Sequence, residues 1–228
     1  MRVQRPVRIN RRLAIATMAA TIGGIVAAGM ARPAVPADRP ITIVALGDSL
    51  TAGLGLPSQD AFPAKLQKAL AAKGIAVTIA DAGVSGDTTS GGLARLDWSV
   101  PAGTDGVILE LGANDALRGL DPAVPRAALD AILRRLKQRG IAVLLCGMLS
   151  PPNLGADYAR AFNAIYPDLA RTYDAVLYPF FLDGVTGQRR LNQADGLHPT
   201  AAGVDVIVAE ILPKVEALIA RIRAKRGP

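Results

Sequence analysis

Residues 41–53 read Ile41-Thr-Ile-Val-Ala-Leu-Gly47-Asp48-Ser49-Leu50-Thr51-Ala52-Gly53: an apolar, β-branched run that stops at a small, acidic and hydroxylated cluster. Ile41 to Leu46 is apolar on both alternations, the pattern of a parallel strand covered on both faces. Gly47 breaks the run. Open α/β sheets bind ligands beyond the carboxyl ends of their strands, which is where Ser49 falls. A plainer reading of the same stretch is that Asp48 and Ser49 cap the next helix.

Working outward, strands and helices alternate. Asp60 to Lys73 spaces Phe62, Leu66, Ala69 and Leu70 as one face of an amphipathic helix, with Gly74 as its stop. Ile75 to Ala80 reads as a second strand. Asp81 to Gly92, which contains Ser85-Gly86-Asp87, reads as a loop leading into a helix at Leu93 to Trp98. Gly106 to Gly112 supplies a third strand, followed directly by Ala113-Asn114-Asp115. Pro122 to Arg139 is a long helix with a basic last turn, and Ile141 to Cys146 is strand four. A helix near Asp157 to Tyr173 carries Pro167, which should kink or divide it. Ala175 to Phe180 is a short fifth strand. A polar loop then reaches Asp195-Gly-Leu-His198-Pro-Thr200, and a final helix runs from about Thr200 to about Ala224, ending in a basic tip over Arg221 to Arg226 expected to be solvated. The spacing predicts a three-layer α/β/α sandwich around a parallel sheet of about five strands, in one domain.

Composition narrows the chemistry. Of 228 residues, 50% are hydrophobic, enough for a substantial core. The formal charge of +7 owes six units to arginines in residues 1–37, which hold no acid; 7 − 6 leaves +1, no electrostatic case for a nucleic-acid partner. Those residues also carry an uncharged stretch from Leu13 to Met30 and small residues at Val35-Pro36-Ala37, the layout of a secretory signal. The expected division is therefore a cleaved signal over 1–37 and a catalytic domain over 38–228, with a periplasmic or secreted product that keeps no stable membrane insertion. An uncleaved anchor is the rival. Asn10-Arg11-Arg12-Leu13 loosely matches a twin-arginine signal. With one Cys and one His there is no Cys/His zinc set and no intrachain disulfide; Cys146 reads as a buried strand residue.

Four polar clusters follow four strands: Asp48-Ser49, Gly86, Asn114, and Asp195 with His198. A serine hydroxyl needs a base, and His198 is the only imidazole. Asp195, three residues earlier, can reach the same ring and hold its tautomer. The backbone amides of Ser49 and Gly86 and the Asn114 carboxamide can donate to an oxyanion. Each residue also has a structural explanation: His198 at a helix entry, Asp195 as a turn former, Asn114-Asp115 as a cap, Gly86 as a conformational necessity.

The blocks Gly47-Asp-Ser-Leu50, Ser85-Gly86-Asp87, Gly112-Ala-Asn-Asp115 and Asp195-Gly-Leu-His-Pro199 resemble, in order, the motifs of the SGNH or GDSL hydrolases, over roughly residues 40 to 220. The chain is similar to the secreted thioesterase, lysophospholipase and arylesterase group. The resemblance implies a nucleophile at Ser49, a base at His198 oriented by Asp195, oxyanion donors at Ser49, Gly86 and Asn114, and a flavodoxin-like strand order of 2-1-3-4-5. Leu54 stands where an aromatic residue is frequent and Ala113 where a second glycine is common, changes that bear on the acyl pocket. The expectation is an exported serine esterase acting on aryl esters, acyl thioesters or lysophospholipids through an acyl-enzyme, with no metal or organic cofactor. A carbohydrate acetylesterase of the same clan and a non-catalytic flavodoxin-like binding module are the alternatives. No phosphate-loop motif and no G-x-S-x-G elbow is present.

Overall fold

The computed structural model describes residues 39–227; the signal reading on 1–37 lies outside them. Five strands, β1 (Ile41–Gly47), β2 (Val77–Gly83), β3 (Gly106–Glu110), β4 (Ala142–Cys146) and β5 (Val176–Tyr178), form one parallel sheet in the order β2-β1-β3-β4-β5. The α-helices of the described residues are α1 (Ser49–Ala52), α2 (Phe62–Ala72), α3 (Thr89–Ala94), α4 (Leu96–Ser99), α5 (Ala113–Leu117), α6 (Ala123–Gln138), α7 (Ala156–Asn163), α8 (Ile165–Tyr173) and α9 (Ala201–Arg226). Helices α2 and α9 pack together on one face of the sheet, and α3, α6 and α8 cover the other. The α/β/α sandwich and its strand order match expectation.

Sequence pattern explains the layering. Every residue of β3 and β4 is buried, as continuous apolar runs require when helices cover both faces. Strand β2, at the edge, has no fully buried residue, and Val77 to Ala80 alternate half-buried with exposed. Phe62 of α2 meets Phe181 edge to face at 5.1 Å, joining α2 to the segment after β5. Side chains in register across a parallel sheet share a face, so Gly47, Glu110, Cys146 and Tyr178 form one row at its carboxyl end. Cys146 is a buried strand residue, as its surroundings in the sequence indicated.

The differences have local causes. Strand β2 begins two residues later than expected, because the Ile75 N–H closes the end of α2 on Leu70 O after Gly74 turns left-handed. It also runs on through Asp81-Ala82-Gly83, paired with β1 as far as Gly47. The helix expected at Leu93 to Trp98 starts earlier, where Thr88 caps Gly91 N–H, and is divided at Arg95. Around Pro167 the chain is divided at Ala164, with the proline in the first turn of α8, where no intrahelical N–H is needed. The basic tip of α9 is not simply solvated. Arg226 bonds Asp105 Oδ2 at 2.6 Å and Arg39 O at 2.7 Å, tying the last turn to the entry of β1, while Arg221 engages Asp174.

Candidate active site

Strand β1 delivers Ser49 as the first residue of α1. Asp48 is its N-cap, accepting the Leu50 N–H on Oδ1 at 3.0 Å, so the capping reading and the site reading of this stretch hold together. The turn needs glycine before it: a Cβ on Gly47 would stand 2.0 Å from Thr51 Oγ1 and 2.7 Å from Glu110 Oε2. A first-turn amide such as that of Ser49 has no intrahelical acceptor.

Ser49, His198 and Asp195 are hydrogen-bonded in series. Ser49 Oγ lies 2.8 Å from His198 Nε2, and His198 Nδ1 lies 2.6 Å from Asp195 Oδ2. With an ionised carboxylate at Oδ2, Nδ1 carries the proton and donates it, and Nε2 is left to accept the serine hydroxyl. Asp195 Oδ1 accepts the backbone N–H groups of Leu197 at 2.9 Å and His198 at 3.0 Å, so the turn-forming role is also real and uses the other oxygen. The His198 side chain and these two amides hold Asp195 down to about 2. Gln193 braces the loop: its N–H donates to His198 O at 2.7 Å, and its Nε2 donates to Leu54 O and Pro199 O.

On the other side of Ser49, Gly86 adopts φ 81°, and no described atom lies within 4 Å of where its Cβ would stand, which leaves its surroundings open. Arg118 donates to Gly86 O at 2.8 Å. Asn114 sits in the first turn of α5, whose N-cap is Gly112, so it is not a cap. Its Nδ2 donates to Asp87 O at 2.9 Å and to Asp48 Oδ2 at 3.2 Å, engaging both amide protons. The neighbouring Asp115 is buried and accepts from the N–H and hydroxyl of Thr89, docking α3 on α5. The structure thus brings Ser49, Gly86, Asn114 and His198 together along one cavity wall, with Asp195 bonded to His198.

Two further side chains, which the sequence did not single out, support this rim. Arg95 is buried and links three segments: Nη2 donates to Gly47 O at 2.8 Å, Nη1 to Ala82 O at 2.8 Å, and Nε to Asp87 Oδ2 at 2.6 Å. Asp87 accepts Asn114 at its carbonyl, so Arg95 stands one contact behind the carboxamide. Glu110, fully buried, accepts Thr51 Oγ1 on Oε2 at 2.8 Å. A single acid inside an apolar strand was the available signal for it. Burial pushes the Asp48 carboxyl up to about 6 against the hydrogen bonds from Leu50 and Asn114; burial, and next the charge of Asp48, push Glu110 well above the usual carboxylate range.

The cavity has a volume of 570 Å³, and its walls include Leu50, Leu54, Ala116, Leu117, Met148 and Phe180. Leu54 and Ala113, the two positions that depart from the family pattern, both line it. A parallel sheet with serine, imidazole and carboxylate bonded in series at its carboxyl rim, beside an apolar cavity, has the layout of an ester hydrolase. The chain belongs to the GDSL-like lipase/acylhydrolase family, whose profile matches residues 45–206. It is 38% identical over 179 residues to the esterase TesA of Pseudomonas aeruginosa, covering 78% of this chain and 89% of that protein. The thioesterase 1/protease 1/lysophospholipase L1 of Escherichia coli K12 is 36% identical over 179 residues, 78% of this chain and 85% of the other. The crystal structure of AlinE4, an SGNH-hydrolase family esterase, superposes with a TM-score of 0.67 at 48% identity, over 78% of this chain and 96% of that one. The protein is an SGNH hydrolase acting on ester bonds.

Proposed function

We propose that the protein is an exported serine esterase that cleaves fatty acyl esters or thioesters through an acyl-enzyme on Ser49. The observation that carries this reading is the 2.8 Å approach of Ser49 Oγ to His198 Nε2 at the wall of an apolar 570 Å³ cavity. As Ser49 Oγ bonds to the substrate carbonyl carbon, its proton passes to Nε2 and the carbonyl electrons move onto oxygen. The Ser49 and Gly86 amides and the Asn114 carboxamide stabilise that charge, and Asp195 stabilises the imidazolium. The C–O or C–S bond then breaks as Nε2–H protonates the leaving group. Water, giving its proton to Nε2, repeats the sequence in reverse and frees the acid.

The apolar lining argues for an aliphatic acyl chain over the short polar esters of a carbohydrate acetylesterase. The name of the E. coli relative supports thioester and lysophospholipid substrates beside simple esters. The basic start and uncharged segment of residues 1–37 support export, with a mature N-terminus expected near Asp38. No helix of the described residues is long and apolar enough to cross a membrane. The test is a panel of p-nitrophenyl esters, acyl thioesters and lysophospholipids of graded chain length, run with wild type and Ser49→Ala. Turnover that climbs from acetyl to longer chains and vanishes in the variant supports the reading. A preference confined to acetyl groups refutes the substrate class, and activity retained by Ser49→Ala refutes the mechanism.

A further inference from the structure

Beneath the nucleophile turn lies a carboxyl group that the mechanism above does not use. Glu110 is the last residue of β3, in register with Gly47 on one side and Cys146 on the other, and it is 0% exposed. Its Oε2 accepts the Thr51 hydroxyl at 2.8 Å, with the Asp48 N–H at 3.4 Å, both from the single turn that carries Ser49. Its Oε1 has no hydrogen-bond partner among the described residues. A buried ionised carboxylate with an oxygen left bare carries the penalty of an unpaired buried charge. A protonated oxygen there removes that charge.

The groups that bear on its charge are known from each side. Asp48 faces it from the β1–α1 turn, with Cys146 on β4 and Tyr166 on α8, and none of these is a cation. The Tyr166 hydroxyl is committed to Leu111 O at 3.0 Å. Space has been kept for the carboxyl, since Gly47 is the residue whose Cβ would intrude on both Oε2 and Thr51. Helix α1 is four residues long, so one turn of backbone holds Ser49 and depends on contacts from outside it.

We propose that Glu110 is a positioning residue for ester hydrolysis: as a neutral acid it accepts the Thr51 hydroxyl and so sets the placement of α1, on which the approach of the Ser49 hydroxyl to His198 depends. This rests on Ser49 being the nucleophile. The substrate meets Ser49 and not Glu110, and the effect passes through Thr51 and the Asp48 amide. Small displacements of a nucleophile are costly, about 100-fold in rate for 1 Å.

The test compares wild type, Glu110→Gln, Glu110→Met, Thr51→Val and Ser49→Ala, measuring kcat, KM, urea midpoint and the fraction of active sites titrated by phenylmethylsulfonyl fluoride. Gln has the shape of the neutral acid and keeps an acceptor for Thr51. Its kcat per titrated site should stay within about threefold of wild type. Met fills the space without an acceptor, so its kcat should fall about tenfold or more with KM within twofold, while the urea midpoint is unchanged or higher, because a buried acid has been replaced by an apolar group. Thr51→Val removes the donor and should lower kcat by a similar factor; should Glu110→Met fail to fold, this variant carries the test. A structural brace alone would lower the midpoint and leave kcat per titrated site intact. Met and Val variants with kcat within twofold of wild type overturn the proposal, as does a Gln variant as slow as Met. Retained activity in Ser49→Ala would instead overturn the assigned nucleophile, a separable outcome.

Discussion

Asn114→Ala separates two roles that the geometry permits. In the resting protein the carboxamide spends one proton on Asp87 O at 2.9 Å and the other on Asp48 Oδ2 at 3.2 Å. An oxyanion can recruit the Asp48-directed proton, since that bond is the longer of the two. Deleting the side chain therefore removes a donor needed only when charge develops. The expected loss is about 3 kcal/mol in the barrier, a hundredfold or more in kcat, with KM nearly unchanged. The two resting hydrogen bonds are lost as well, each contributing about 1 kcal/mol to stability, so the urea midpoint should drop modestly. Initial rates on a p-nitrophenyl ester and urea unfolding, measured on one purified preparation, give both quantities. A lower midpoint with kcat close to wild type would show that Asn114 only fastens α5 to the Gly86 loop, and would remove it from the oxyanion site.

Three further outcomes follow from the same contacts. Asp195→Asn should lower kcat by about a hundredfold or more, because an amide no longer selects the tautomer with Nε2 free; steady-state kinetics with KM unchanged checks it, and a loss below threefold refutes it. Arg95→Ala leaves the Asp87 carboxylate buried without its cation, an expected cost of about 3 to 5 kcal/mol read as a shifted urea midpoint, and a shift under 1 kcal/mol would contradict the structure. The third concerns pH and stability: Asp48 has an ordinary value of 3.8 in the unfolded chain and about 6 in the fold, so between these limits the unfolded chain releases a proton that the folded protein keeps. Its contribution thus falls as pH rises from 4 to 6, whereas that of Asp195, held down to about 2, is already complete above its ordinary value of 3.8. Urea midpoints across that window should fall more steeply in wild type than in Asp48→Asn, and equal slopes would refute the assignment.

The legible parts of the chain were those where one local pattern has one physical solution. Ile41 to Leu46 could only be a strand covered on both faces, and polar clusters after successive strands had to share the carboxyl rim of a parallel sheet. Elements decided by neighbours were harder to read. The extension of β2 through Gly83 depends on pairing with Gly47. The break at Arg95 depends on carbonyls from two other strands drawing the guanidinium inward. Arg226 looks like a solvated helix end until its reach to Asp105 is known. The residues that meet at this rim were legible by type and order, and Asp195 was legible as a turn former, but not that it forms its turn with one oxygen and meets His198 with the other. Glu110 was visible as an odd charge in an apolar strand, but only the register places it under Gly47.

The central claim is that Ser49 carries the acyl group. Wild type and Ser49→Ala are mixed with a p-nitrophenyl ester of a long acyl chain, quenched in acid during turnover and mapped by peptide mass spectrometry. The account predicts an adduct of one acyl group on the wild-type peptide containing Ser49, and none anywhere in the variant, which should hydrolyse the ester only at a background many orders lower. An acyl group on any other residue, or turnover by Ser49→Ala comparable to wild type, would contradict it.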